Sequence, residues 1–208
     1  DELNKRQINV DDLRLAIATV KKERIPLVTK DPSKTLILDF ERTLKDGSID
    51  QVANQGVSVL ARYPGTEDTK RVIKEINRFI LTYLHTHPWD KSIDGLLGMY
   101  PSKVLGDFGY ELWRNQNADD AARVYELILK KYPLEMEICH NAVYYLGRIA
   151  EDKADYAKAL DYYRQVEEQY DFGQYTTAAL FKIPWVERRS GQYASALIHF
   201  KKSADFYK

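Results

Sequence analysis

A spacing pattern that occurs three times in the second half of the chain constrains its fold more than any other feature. The pattern is anchored by Gly109, Gly147 and Pro184, which are 38 and then 37 residues apart. Twelve residues after each anchor comes an alanine, and four residues further comes an aromatic residue. The alanines are Ala121, Ala159 and Ala196, and the aromatic residues are Tyr125, Tyr163 and Phe200. The recurrence of the same offsets in three successive segments is typical of stacked structural repeats.

Apolar residues recur at helical spacing along most of the chain, and strand-like alternation is almost absent. The breaks after residue 102 are short, so we expect consecutive helices to be antiparallel neighbours. Small residues let the two helices of a unit cross closely, and we expect Gly109 to lie against Ala121 and Gly147 against Ala159. The aromatic residues then fill the space between units. An ordinary helical bundle with accidental spacing is the poorer interpretation, because the offsets agree in three units.

The pattern resembles the tetratricopeptide repeat (TPR), whose units read W-x2-L-G-x2-Y, then A-x3-F, then a closing proline. The segment LGRIAEDKADYAKALDYY, which begins at Leu146, is the clearest match, and Pro133 closes the first unit. The resemblance implies an all-α, right-handed α-solenoid or superhelix of stacked antiparallel helix pairs. We predict three TPR-like units over 102–208 and degenerate helical repeats over 1–101, together forming one continuous solenoid.

The first half of the chain matches the repeat less well but carries local helix signals. A first helix is predicted from apolar residues at helical spacing, which are Leu13, Ile17 and Val20. Ser48 and Gln51 have the spacing of a capping box, followed by a helix that ends at Tyr63-Pro64. A further helix is predicted from about Thr66 to Leu84. The segment 86–101, with two prolines and two glycines, is expected to be the least regular part.

Pro184 occupies the position that glycine holds in the other two units. A proline inside a helix removes one backbone hydrogen bond and clashes with the preceding turn, at a cost of about 3 kcal/mol. We therefore predict a kinked or interrupted helix at Pro184. Ile183 is expected to stay in the core, with Trp185 turned toward a groove.

TPR arrays bind proteins or peptides along a concave groove lined by the first helix of each unit, and the resemblance implies which residues face it. Several of these positions hold Trp, Tyr or Arg, the residue types enriched in binding hot spots. The predicted partner-binding residues are Tyr110, Trp113, Arg114, Tyr144, Arg148, Trp185, Arg188 and Arg189. They suit a protein or peptide segment with apolar anchors and acidic groups. The alternative is that the tyrosines pack inside the superhelix.

Composition excludes several other classes of function. The 31 basic and 31 acidic residues cancel, which argues against nucleic-acid and membrane-surface binding. No apolar run approaches the roughly 20 residues of a transmembrane helix. The single cysteine, Cys139, excludes a disulfide framework and is expected to be a small core residue. His85 and His87 are expected to be loop histidines, and no enzymatic motif, metal site or cofactor is predicted.

The sequence therefore predicts a non-catalytic scaffold or adaptor. The Tyr-Pro closures and the repeat length are similar to those of bacterial envelope-type TPR proteins, which favours the periplasm or cell envelope. One alternative is an accessory superhelical domain of a larger cell-wall enzyme, such as a lytic transglycosylase. Another is a homo-oligomer that assembles through the C-terminal repeat.

Overall fold

The computed structural model describes residues 32–62, 65–169 and 174–206, and these residues form ten α-helices and no strand. The helices are α1 (Pro32–Asp46), α2 (Ile49–Arg62), α3 (Glu67–Leu84), α4 (Lys91–Leu97), α5 (Ser102–Arg114), α6 (Ala118–Lys131), α7 (Met136–Asp152), α8 (Tyr156–Gln169), α9 (Gln174–Arg189) and α10 (Tyr193–Phe206). The helix predicted around Leu13 and the closure at Tyr63-Pro64 lie outside the described residues. None of the described helices is long and apolar enough to cross a membrane.

The helices stack as hairpins. Helix α5 packs against α6, α7 against α8, and α9 against α10, while α6–α7 and α8–α9 contacts join successive hairpins. The first helices of the hairpins also touch one another, α5 against α7 and α7 against α9. The predicted all-α solenoid of stacked helix pairs is thus confirmed. Its right-handed twist stays a prediction.

The turn inside each C-terminal hairpin has the same backbone geometry. A residue with positive φ ends the first helix in all three, namely Gln116 (63°), Ala154 (58°) and Gly191 (82°). The next N–H group donates to a carbonyl of the last helical turn, at 3.0, 2.9 and 2.8 Å respectively. This is the Schellman arrangement that satisfies the free carbonyls of a helix end. The repeat is therefore present in the backbone, although only Gly191 suits the left-handed conformation.

The absence of a side chain at each glycine of the repeat leaves room for a tyrosine ring. A Cβ atom on Gly147 would lie 2.7 Å from the ring of Tyr163, and one on Gly109 would lie 3.0 Å from the ring of Tyr125. Both rings are fully buried. The nearest side chain at each glycine is thus the aromatic residue of the same hairpin, and the predicted contacts with Ala121 and Ala159 stay predictions.

The capping box is confirmed, since the Ser48 N–H donates to Gln51 Oε1 at 2.8 Å. Helix α3 begins after Thr66 as predicted, with the Thr66 hydroxyl accepting from the Thr69 N–H. The segment 86–101 is more regular than expected, because it contains α4. This short helix places three fully buried side chains in the core, which are Ile93, Leu96 and Leu97, and Tyr100 just after it is also fully buried.

One hydrophobic core cluster extends from Ile37 in α1 to Ile149 in α7 and crosses the predicted boundary at residue 101. A second cluster joins α7, α8 and α9. Hydrogen bonds also link the two halves of the chain: the Tyr132 hydroxyl at the end of α6 donates to the Tyr100 carbonyl at 2.6 Å. The division into 1–101 and 102–208 stays a prediction.

Helix α9 runs without interruption through Pro184, so the predicted interruption is wrong, whereas a kink at Pro184 stays a prediction. The physical reason is a replacement donor from the neighbouring helix, since the Ser203 hydroxyl of α10 lies 2.9 Å from the Leu180 carbonyl. Ile183 is buried, as predicted.

Candidate binding surface

The first helices of the three C-terminal hairpins lie side by side and form a surface that we call the α5–α7–α9 surface. Five of the predicted partner-binding residues lie on it, namely Tyr110, Trp113 and Arg114 of α5, Arg148 of α7, and Arg189 of α9. They are positioned by the contacts of α7 with α5 on one side and with α9 on the other.

An aromatic cluster bridges α5 and α7. The rings of Tyr110 and Trp113 are 5.8 Å apart, and each lies against Tyr145, at 5.5 and 5.4 Å. The Trp113 indole N–H donates to Asp152 Oδ2 at 2.8 Å. Trp113 is therefore half-buried and held in place. Tyr110, by contrast, remains 39% exposed.

A cavity of about 600 Å³ opens beside the aromatic cluster. It is lined by Tyr110, Trp113, Arg114, Gln116, Ala118, Asp152 and Lys153. Arg114, which lines the cavity, has its guanidinium 5.9 Å from the Tyr110 ring centre, and the Arg148 guanidinium lies 4.9 Å from the Trp113 ring centre. Cations over aromatic faces are attracted by the ring quadrupole, which holds both arginines beside the cluster. The lining of the cavity itself is mixed, with Arg114 and Lys153 as cations and Asp152 as a carboxylate.

A buried carboxylate, Glu151, directly precedes the cavity-lining residue Asp152 in α7. Glu151 of α7 accepts from Arg189 at 2.8 Å, from Lys182 at 3.0 Å and from the Tyr163 hydroxyl at 2.9 Å. Arg148 is 4.0 Å from the same carboxylate. Burial and the negative charge of Glu151 together raise the pKa of Tyr163. Three cations surround a single carboxylate, so this part of the surface carries excess positive charge.

Sequence reasoning missed two members of the surface, Tyr145 and Lys182. Both occupy the same place in the repeat, two residues before the glycine or proline anchor. Tyr145 stacks on Tyr125 of the preceding hairpin with ring centres 5.4 Å apart. Helical spacing could have identified Tyr145 from the sequence, because it precedes Arg148 by three residues and therefore shares its helix face.

Tyr144 was predicted to face the groove, but it is buried and its ring packs against Tyr145, Tyr163 and Tyr175. A partner could reach it only if the hairpins separated. At position 144 the alternative interpretation is confirmed, because this tyrosine packs inside the stack of hairpins.

Trp185 and Arg188 do not join the aromatic cluster on α5 and α7. The Trp185 ring packs edge-on against Phe200 of α10 with centres 5.3 Å apart, and the Arg188 guanidinium lies 5.6 Å from the Trp185 ring. The apolar contact with Phe200 holds the ring against its own hairpin, and the orientation of Trp185 toward the groove stays a prediction.

The remaining reactive side chains have local partners. Cys139 is buried as predicted, and its thiol donates to the Tyr132 carbonyl at 3.2 Å, while burial raises the pKa of this thiol. His85 Nδ1 lies 2.8 Å from the Leu81 carbonyl, and His87 stacks on Tyr83. Within the described ranges, no group of three or more His, Cys, Asp or Glu residues could hold a metal ion.

No family model matches the chain, and no curated protein matches it. Solved structures with a similar arrangement include MamA 41-end from Desulfovibrio magneticus RS-1, at 14% identity and a TM-score of 0.49, covering 84% of this chain and 94% of that one. Pseudomonas aeruginosa PilF is 15% identical with a TM-score of 0.48, covering 85% of this chain and 77% of that one. A putative kinesin light chain from Podosopora anserina with nearly identical TPR-like repeats is 12% identical with a TM-score of 0.47, covering 84% and 94%.

Proposed function

We propose that this protein is a non-catalytic interaction scaffold that binds a segment of another protein on its α5–α7–α9 surface. The observation that carries the proposal is the aromatic cluster of Tyr110, Trp113 and Tyr145 beside a cavity of about 600 Å³. The cavity is large enough for a bulky apolar side chain, and such pockets anchor protein interfaces.

The charged side chains beside the cavity indicate which further residues a bound partner segment would carry. Arg148, Lys182 and Arg189 lie around one buried carboxylate, and Arg114 lies at the rim of the cavity. A bound carboxylate would be attracted by this excess charge, whereas a basic group would be repelled. We therefore expect the partner segment to carry an apolar or aromatic anchor followed by acidic residues.

Two further predictions from the sequence remain proposals. An accessory domain of a cell-wall enzyme would use the same surface, with the chemistry located in another domain. The periplasmic or envelope location stays a prediction from the repeat spacing.

The proposal is tested by site-specific photocrosslinking in a native extract. A photoreactive phenylalanine analogue is placed at position 114 on the cavity rim, and a control is placed at exposed position 126 on α6. We expect a defined partner band at position 114 only, which is lost when Tyr110→Ala or Arg148→Glu is added. The same band at both positions, or a band insensitive to both substitutions, contradicts the proposal.

A further inference from the structure

A second cavity lies at the opposite end of the α5–α7–α9 surface from the cavity beside Trp113. It has a volume of about 580 Å³ and is formed by the N-terminal parts of α5, α7 and α9. The charged residues in its lining are three carboxylates and one cation, namely Asp107, Glu135, Glu137 and Lys103. We call it the acidic cavity. The cavity beside Trp113 is lined instead by two cations, Arg114 and Lys153, and one carboxylate.

The helices themselves account for only part of this negative charge. Glu135 and Glu137 lie at the N-terminus of α7, where a carboxylate stabilises the helix dipole, and Glu135 also accepts from the Ser102 hydroxyl. Asp107 lies in the second turn of α5, beyond the reach of that effect. Asp107, Glu137 and Lys103 are exposed, and none of them forms an ion pair with another described residue. Asp107 and Glu137 therefore leave unneutralised negative charge in the acidic cavity.

Two enclosed polar atoms at this end of the surface lack a hydrogen-bond partner among the described residues. Asn141 lines the acidic cavity, and its amide N–H donates to the Tyr175 hydroxyl at 2.7 Å, but its Oδ1 atom accepts from no donor. Tyr125 is fully buried, and its hydroxyl also has no partner. This hydroxyl lies near the cavity, since burial and the nearby Tyr175 and Asp107 together raise the pKa of Tyr125. Enclosed polar atoms are usually paired, so these two indicate a site that takes up a polar group.

We infer that the acidic cavity binds an arginine side chain of the same partner segment whose anchor enters the cavity beside Trp113. The inference rests on the proposed function and adds a basic residue to the expected segment. A guanidinium presents several N–H donors in a planar fork, so it can pair with Asp107 and Glu137 and also donate to Asn141 Oδ1. Its face can lie against the ring of Tyr175, which lines the same cavity.

The distance between the two cavities sets the spacing within the segment. On α7, Ile138 and Asn141 line the acidic cavity and Asp152 lines the other one. The rise of an α-helix places these positions about 17–21 Å apart. An extended segment covers about 3.3 Å per residue, so the arginine should be about five or six residues from the apolar anchor.

The position of the acidic cavity favours a partner over the nearest undescribed residues of this chain. Its walls come from three successive hairpins, each with both helices described. Residues 170–173, which precede α9, contain Asp171 and no Lys or Arg, so they would add negative charge to the cavity. Residues 1–31 do contain cations, and their binding in the cavity is an outcome that the test detects.

The inference is tested by selecting a random peptide library, displayed on phage, against the full chain. The same selection is made against Asp107→Asn combined with Glu137→Gln, against Tyr110→Ala, and against Glu126→Gln as a control at an exposed position on α6. We expect the full chain and the control to select an arginine about five or six residues from an aromatic residue. The double variant should lose only the arginine preference, and Tyr110→Ala should weaken only the aromatic preference. Circular dichroism checks that the variants keep their helicity.

A selected peptide is then compared with a version in which citrulline replaces the arginine, because citrulline keeps the shape of the side chain without its charge. Fluorescence anisotropy at low salt should show about ten-fold weaker binding of the citrulline peptide to the full chain. The difference should shrink above about 0.5 M salt, since both carboxylates are exposed. The double variant should bind the two peptides equally.

Aromatic and acidic preferences without arginine, or equal binding of the two peptides to the full chain, would overturn this inference and leave the proposed function intact. An arginine preference without an aromatic one would contradict the proposed function, and selection of no motif would contradict both. A photoreactive residue is also placed at position 136, which lines the acidic cavity and is 55% exposed. Cross-links from this position to residues 1–31 or 170–173 in the absence of peptide would overturn the inference, because the chain itself would then occupy the cavity.

Discussion

The Ser203 hydroxyl of α10 lies 2.9 Å from the Leu180 carbonyl of α9, and it lies the same distance from the carbonyl of His199. In a regular helix the Leu180 carbonyl would accept from the N–H of residue 184, but Pro184 has none. The His199 carbonyl already has a donor in its own helix, the N–H of residue 203. Ser203 therefore serves the acceptor that proline leaves unpaired, and the contact joins the two helices of the last hairpin.

Ser203→Ala should destabilise the protein, because it leaves a buried carbonyl without a donor. We expect a loss of about 1–3 kcal/mol in the free energy of unfolding. In a Pro184→Ala background the loss should be smaller by about 1 kcal/mol, since residue 184 then supplies its own N–H to Leu180. Urea unfolding of the two single variants and the double variant measures this coupling.

Ser190→Ala is a suitable control, because its hydroxyl bonds a carbonyl at the end of its own helix. Its cost should not depend on residue 184. Additive effects of Ser203→Ala and Pro184→Ala would show that Ser203 does not compensate for the proline.

The repeat was predictable from sequence because its glycine and aromatic positions contact each other within one hairpin. Gly147 and Tyr163 illustrate this, since the ring rests where a Cβ atom would be. The continuity of α9 was not predictable in the same way. The carbonyl that Pro184 leaves without a donor is served by one serine of the following helix, which is 23 residues away in sequence.

The candidate site was predictable where neighbouring units lie in register. Trp113 and Arg148 were both expected on one surface, and the guanidinium lies 4.9 Å from the ring centre. The last unit departs from this expectation because its environment differs. In the preceding hairpin Tyr163 is covered by α9, whereas its equivalent Phe200 is only half-buried and packs against Trp185.

Ala154→Gly should stabilise the protein, because Ala154 has a φ of 58° and is exposed. A left-handed conformation costs a residue with a Cβ atom about 1–2 kcal/mol, and glycine avoids most of this cost. After allowing for the greater entropy of glycine in the unfolded chain, we expect a gain of about 0.5–1 kcal/mol. Thermal unfolding followed by circular dichroism measures it, with Gly191→Ala as the reverse substitution at the equivalent turn. A lower melting temperature for Ala154→Gly would contradict the strain inferred here.

Glu151→Gln should weaken the contact between α7 and α9, because the buried carboxylate is the common acceptor of Lys182, Arg189 and Tyr163. Removing one partner of a buried ion pair costs about 3–5 kcal/mol, but Arg189 is partly exposed, so we expect about 2 kcal/mol. The loss in urea unfolding should shrink when Lys182→Met is also present. Glu126→Gln, at an exposed position on α6, should change stability by less than about 0.5 kcal/mol. If Glu151→Gln changed the free energy of unfolding as little as Glu126→Gln, Lys182 and Arg189 would be fully solvated in the absence of the carboxylate.

The stability of the α7–α9 contact should decrease in mild acid because of His140. This side chain is buried, with its Nε2 atom 3.3 Å from the Thr176 hydroxyl and its ring against Tyr175. Burial lowers the pKa of His140 below its ordinary value of 6.5. The unfolded chain therefore binds a proton at a higher pH than the folded chain does, and stability is lost as the pH falls below 6.5 toward the folded-state pKa.

Melting temperatures between about pH 7.5 and pH 5 should fall less steeply for His140→Gln than for the unmodified protein. The exposed His85→Gln variant should retain the original slope, and a His140→Gln variant with that same slope would show that another group controls the acid response.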